Sequence, residues 1–387
     1  MNIIDIDKQY IANTYARFPL QLVKGKGSLV YDENGKEYID LGTGIAVNSF
    51  GIADEEWKNA VTAQLGRIQH TSNLYYSEPC ALLAQELCHR SGMKKVFFSN
   101  SGAEANECAI KAARQYGREK KGKDCYTVIT LKNSFHGRTI TTLSATGQEV
   151  FHDYFTPMTE GFVYAAANDM EEIKTLAKRH SCCAVMIELV QGEGGVTALD
   201  KGYVTALAEF VRKEDMILIV DEVQTGNGRT GTLYAYMDYG ISPDVVTTAK
   251  GLGGGLPIGA TLLGERVKDL FLPGMNGSTF GGNPIACAGA LSILKRIDDS
   301  LLADVREKSE YIFSELRAAK GVKSVSGKGL MIGIECEKDA GAVIAECMNR
   351  GVLVIKAKHK VRLLPALNIP MELLRKSIKT LKEVIEE

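Results

Sequence analysis

Through the middle of the chain, short apolar runs alternate with longer stretches in which apolar residues return every three or four positions. KKVFFSNSG, DCYTVITL, AVMIELV, MILIVDEV and PDVVTTAK are runs of strand length, each bounded by polar or glycine-containing turns. Between the first two lies AEANECAIKAARQYG. There Ala105, Cys108, Ala109, Ala112, Ala113 and Tyr116 fall on one side of a 3.6-residue period, which predicts a helix with one buried face. Ser101 and Glu104 stand three apart at its start, the spacing of a capping box. Strand and helix patterns in alternation predict an α/β fold, a mostly parallel sheet with helices on its faces.

The two ends read differently. GSLVYDENGKEYIDLGTG alternates like a hairpin, with Asn34-Gly35 as its turn. From about Asp298 onward the order is helix, KSVSGKGLMIGIECE, helix, VLVIKAKHKVRLLPAL and a closing helix, an α+β arrangement. We therefore expect residues 1–50 and 281–387 to supply a smaller α+β domain, the latter with a connecting helix. Residues 51–280 then form the large domain.

Composition narrows the function more than the fold. The chain has 387 residues, 45% hydrophobic and 24% charged, with a net charge of −1. That balance gives no reason to expect nucleic acid or an anionic membrane as partner, and points to small molecules. No stretch approaches the ~20 apolar residues of a membrane helix, and the start lacks the pattern of a secretory signal, so a cytoplasmic protein is expected. Nine cysteines, an odd number without a CxxC, read as reduced thiols, and six histidines without HExxH give no metal site.

In open α/β sheets ligands bind beyond the carboxyl ends of strands, so polar residues that stop apolar runs are the candidates for chemistry. MILIVDEVQTG stops at Asp221 and Glu222, and PDVVTTAKGLGGG stops at Lys250. KKVFFSNSGAEAN turns into a helix whose first N–H groups, at Gly102 and Ala103, are free to hold a phosphate. TLKNSFHGRT stops in an aromatic ring, a histidine and an arginine. Singly, each has an ordinary explanation: acids after strands cap or pair, and a lone lysine is a surface charge. Together they suit one ligand, pyridoxal phosphate, which needs a phosphate cradle, a flat face for its ring, an acid for its ring nitrogen and an amine for its aldehyde. GNGRTG at Gly226, Gly228 and Gly231 satisfies GxGxxG, but the acids just before it would repel a dinucleotide's pyrophosphate.

NTYARFPL, GIAVNSFG, FFSNSGAEAN, FHGRT, QGEGGV, DEVQTGNGRTG, AKGLGGGLPIGA, STFGGNPIACA and VRLLP occur in this order from end to end. By these motifs the chain resembles the class III, fold-type I aminotransferases, and among them the acetylornithine aminotransferases. The resemblance implies a seven-stranded sheet and bound pyridoxal phosphate. It implies that Gly102 and Ala103 hold the phosphate and that Phe135 stacks on the ring. Asp221 pairs with the ring nitrogen, Glu222 and Val223 flank it, Gln224 meets the ring's phenolic oxygen, and Lys250 forms the Schiff base. Thr279 would bind the phosphate in the neighbouring subunit, so a homodimer with shared active sites is expected. Arg138, Ser278 and Tyr15, with Arg17 nearby, are the expected substrate contacts. The chain reads Glu188-Leu189 where relatives commonly have Glu-Pro.

The same resemblance makes Glu193 and Arg362 a gate, paired while an amine donor is bound and parted so that the arginine grips 2-oxoglutarate. The plainer alternative is a permanent ion pair between domains. The implied reaction moves the terminal amine of N2-acetylornithine to 2-oxoglutarate, as in arginine biosynthesis. Succinylornithine, ornithine and 4-aminobutyrate remain as rival donors. An internal aminomutase, or a binding protein that keeps the fold without the chemistry, would be a different class.

Overall fold

The computed structural model describes residues 2–387. Its central sheet has seven strands: β1 (Lys95–Ser99), β2 (Thr127–Leu131), β3 (Phe162–Ala165), β4 (Cys182–Ile187), β5 (Ile217–Asp221), β6 (Val245–Thr248) and β7 (Gly259–Leu263). They lie in the order β1-β7-β6-β5-β4-β2-β3. From β6 to β3 every pairing is parallel, whereas β7 runs antiparallel to both β6 and β1. The expected mostly parallel sheet is thus mixed at one side. The link from β6 to β7 holds only the short turn Lys250–Leu252, too little chain for a helical crossover, so the strand returns antiparallel. Strands β2, β4, β5 and β6 are buried throughout, which explains why they read as apolar runs without alternation.

Helix α1 (Gly102–Lys121) follows β1 and buries all six residues of the predicted face. Its cap differs in detail from a capping box. Ser101 Oγ accepts the N–H of Glu104, but the Glu104 carboxylate reaches back to the N–H of Asn100 rather than of Ser101. Small residues let α1 lie close to the sheet. At Gly117 a β-carbon would come within 2.3 Å of the Cys125 carbonyl oxygen and 2.6 Å of the Cys183 β-carbon.

The predicted hairpin pairs Leu29–Asp32 with Glu37–Asp40, and Gly35 takes the left-handed conformation in its turn (φ +82°). Val352–Leu353 adds to it in parallel from the far end of the chain. A second sheet joins Val322–Lys328, Met331–Cys336, Lys360–Leu363 and Ile355–Ala357, all antiparallel. Ile39 and Leu41 share one apolar core with this sheet and with the helices Asp299–Arg317, Ala340–Asn349 and Met371–Glu386. The intervening helix Pro284–Arg296 instead packs Ala286, Cys287, Ala290, Ile293 and Leu294 into the core around the seven-stranded sheet. No helix among the described residues is long and apolar enough to cross a membrane.

The Gly117 contact gives a direct test of this packing. Gly117→Ala should lower stability by about 1–3 kcal/mol, the range of overpacked cores, despite alanine's better helix propensity. Chemical denaturation reads the change, and an unchanged midpoint would contradict the close approach.

Candidate active site

Strand ends bring many of the expected residues to one cavity of about 430 Å³. Its wall includes Gly102 and Ala103 from the start of α1, Phe135 and Arg138 from the loop after β2, Glu188 after β4, Asp221, Val223 and Gln224 at the end of β5, and Lys250 after β6. The volume lies within the range of small-molecule sites.

Asp221 is 4% exposed, and its charge is answered by neighbours. His136 Nδ1 lies 2.8 Å from Asp221 Oδ2, and Asn106 Nδ2 donates to the same oxygen at 2.8 Å. The N–H of Val223 donates to Oδ1 at 3.0 Å. The imidazole and the amide thus meet the same carboxylate oxygen. Asn106 also donates to the His136 carbonyl and so locks the histidine loop to α1. Buried charge is tolerable only with such partners.

Lys250 sits in a left-handed backbone conformation (φ +45°), rare for a side chain of this kind and costly to hold. Asn227 donates to Ala249 O and to Thr248 Oγ1, and Ser49 donates to Gly251 O, so the turn is gripped on both sides. Burial pushes the Lys250 pKa below its ordinary value. Glu193, Asp221 and Glu188 oppose this, while the Arg362 charge adds to it.

Glu193 and Arg362 are paired, with NH1 to Oε1 at 2.6 Å and NH2 to Oε2 at 3.4 Å. Gln224 lies between them: its Oε1 accepts from Arg362 NH1 at 3.2 Å, and its Nε2 donates to Glu193 Oε1 at 3.5 Å. Burial raises the Glu193 pKa, but Arg362 and then Lys250 outweigh it and hold the carboxyl below its ordinary value. Arg138 is exposed at the cavity wall, its guanidinium 4.1 Å from the Phe151 ring and 5.4 Å from that of Phe135.

Residues 10–385 match the sequence profile of the family Aminotransferase class-III. The chain belongs to this family. The class-III aminotransferase is 49% identical over 387 residues to an acetylornithine aminotransferase of Haemophilus ducreyi, covering 100% of this chain and 98% of the other. With an acetylornithine aminotransferase of Aquifex aeolicus it is 44% identical over 378 residues, 97% of this chain and 100% of the other. Among solved structures it resembles the ornithine aminotransferase of Toxoplasma gondii, with TM-score 0.95, 31% identity, and 99% and 94% of the two chains covered. It also resembles an N-acetylornithine aminotransferase of Stenotrophomonas maltophilia, with TM-score 0.86, 34% identity, and 99% and 98% covered.

Several expected contacts of this aminotransferase lie off the cavity wall. Glu222 is one of them. It follows Asp221, so strand alternation turns it to the opposite face. There its carboxylate accepts from Thr225 Oγ1 and the N–H of Tyr236. Ser278 bonds Asn100 Nδ2 and the N–H of Gly281, next to the cavity but not on its wall. Thr279 is exposed and borders a second hollow with Tyr75 and Tyr76. Tyr15 is 69% exposed and stacks under Arg17, which pairs with Asp7. The GNGRTG loop holds backbone: besides Asn227, buried Arg229 donates to Leu330 O and Pro365 O. Asn106 and Asn227 were not singled out from sequence, and Glu188 was noted only for the leucine that follows it, since their partners are remote in the chain.

Burial pushes the Glu222 carboxyl up to about 7, against the pull of Thr225 and the Tyr236 N–H. A raised acid favours the native state below its unfolded pKa and loses that advantage as pH rises through about 7. Glu222→Gln, which stays neutral, should therefore gain stability relative to the unaltered chain between pH 5 and 8. Paired denaturation curves at the two pH values read this, and a constant difference would contradict the assignment.

Proposed function

We propose that this aminotransferase moves the terminal amino group of N2-acetylornithine to 2-oxoglutarate, giving N-acetylglutamate 5-semialdehyde and glutamate, the step it would serve in arginine biosynthesis. The observation that carries the reaction is the meeting, in one cavity, of Lys250 with a lowered pKa and a buried Asp221 held by His136 and Asn106. The donor rests on the full-length likeness to acetylornithine aminotransferases.

The site fits pyridoxal phosphate by size and by donor set. The first turn of α1 offers its unbonded N–H groups at Gly102 and Ala103 for the phosphate. A β-carbon at Gly102 would strike Val223 at 2.6 Å, so only glycine leaves the strand end and the helix start this close. Phe135 offers a ring face and Asp221 an anion for the ring nitrogen. When bound, the cofactor supplies an aldehyde for the amine and a ring that accepts the electron pair left on the substrate carbon.

The chain's own residues do the rest. Lys250, whose pKa burial draws below its ordinary value, is placed to take a proton from the substrate carbon and to give it back. Asp221, held in place by three hydrogen bonds, would present its carboxylate to the ring nitrogen. Arg138, exposed at the cavity wall, presents a fork suited to the donor's α-carboxylate. While Glu193 neutralises Arg362 the pocket tolerates an amine; when Glu193 turns away, Arg362 is free for the second carboxylate of 2-oxoglutarate.

A second copy of the chain completes the picture. Leu74, Tyr75, Tyr76 and Phe280 are 86%, 72%, 106% and 60% exposed around Thr279. An apolar patch of this kind favours a protein partner, and a homodimer would bring Thr279 to the neighbour's phosphate. All nine cysteines are free, as suits a reducing cytoplasm.

The donor is tested by half-reactions. With bound cofactor and no acceptor, acetylornithine should bleach the visible absorbance faster than ornithine, succinylornithine or 4-aminobutyrate. A faster rival would replace the named donor, and no response to any amine would remove the reaction. Glu193→Gln should slow the donor half-reaction by about tenfold or more, because Arg362 then faces the amine uncompensated, while the 2-oxoglutarate half-reaction changes less. Equal slowing of both would make the pair a permanent strut.

A further inference from the structure

Glu188 is a carboxylate for which neither the reaction above nor the sequence motifs provide a task. It is 5% exposed, lines the cavity, and directly follows β4. Its two oxygens go to two different loops. Oε2 accepts the N–H of Phe135 at 2.9 Å, and Oε1 accepts the N–H of Gly192 at 3.3 Å. The first loop carries the ring that faces the cofactor, and the second carries Glu193.

The two loops are also in direct contact. Gln191 Nε2 donates to Lys132 O at 2.9 Å, and a β-carbon at Gly194 would meet Asn133 O at 2.5 Å. Gly192 lies flat on the Gln224 amide, where a β-carbon would come within 2.4 Å of Oε1, and its carbonyl accepts from Arg362 NH1 at 3.3 Å. A hydrogen-bonded path thus runs from the Phe135 backbone through Glu188 and Gly192 to Arg362. Holding a carboxylate here is costly. Burial pushes it up to about 7; His136 opposes that, Asp221 adds to it, and the Phe135 and Gly192 N–H groups draw it back.

We propose that Glu188 is a positioning residue that ties the ring-facing loop to the base of the gate, so that the gate opens by rotation of the Glu193 side chain about a fixed Gly192 backbone. The inference rests on the aminotransferase reading of the cavity. A carboxylate suits the task because it alone offers two acceptor oxygens; glutamine matches its shape but can satisfy only one of the two N–H groups.

Glu188→Gln holoenzyme tests this. Before any substrate is added, the visible circular dichroism of the bound cofactor should differ from that of the unaltered enzyme, because the Phe135 backbone has lost its anchor. Amide exchange should rise at 133–137 and at 190–194 but not within β4. The KM for 2-oxoglutarate should rise on the order of tenfold, one charge-assisted hydrogen bond, with a smaller change for the donor. Should Glu188→Gln not fold, Glu188→Asp, which keeps the charge and shortens the reach, carries the same expectations. Unchanged dichroism with exchange confined to neither loop, or equal effects on both substrates, would overturn the proposal. An unaltered enzyme that binds no cofactor would instead defeat the reading on which it rests.

Discussion

A carboxylate at the end of a fully buried strand must be answered by hydrogen bonds or give up its charge. Asp221 is answered three times, by His136 from the loop after β2, by Asn106 from α1 and by its own neighbour Val223. Those bonds do more than satisfy its oxygens. They fix the histidine loop against α1, and with it the ring of Phe135 and the position of Arg138. The same strand end delivers Val223 against Gly102 and Gln224 into the gate, so one residue's solvation fixes most of the cavity's geometry.

Around that centre two apolar cores meet. One covers a face of the seven-stranded sheet; the other joins the amino-terminal hairpin to the carboxy-terminal sheet and helices. Arg229 bonds Leu330 and Pro365 across the join without an acid partner among its hydrogen bonds, and Arg362 comes from the second region to reach Glu193 in the first. Burial lowers even the Arg229 pKa to about 9, a sign of how completely its charge is enclosed. Closure of the cavity therefore depends on how precisely the Lys360–Leu363 strand is held, and a gate mounted there requires a firm base.

Much of this was legible in the sequence because the deciding signals are local. Apolar runs of strand length, the small-residue face of α1, the Asn34-Gly35 turn and the strand-ending polar residues all express constraints within a few positions. What escaped was long-range or depended on direction. Asn106 carries no local signal, because its partners His136 and Asp221 come to it from elsewhere in the chain. Glu222 was grouped with Asp221 by adjacency, whereas alternation along a strand sends the two to opposite faces. The antiparallel β7 follows from a connection too short for a crossover. GNGRTG, which mimics a nucleotide loop, instead props the Lys250 turn and the meeting of the two cores.

The central claim is that Lys250, and no other amine, meets the cofactor. Loading the protein with pyridoxal phosphate, reducing with borohydride and mapping the modified peptide by mass spectrometry tests it most directly. A single cofactor adduct is expected, on the peptide that carries Lys250. An adduct on a different lysine, or a protein that loads cofactor without any reducible bond, would contradict it.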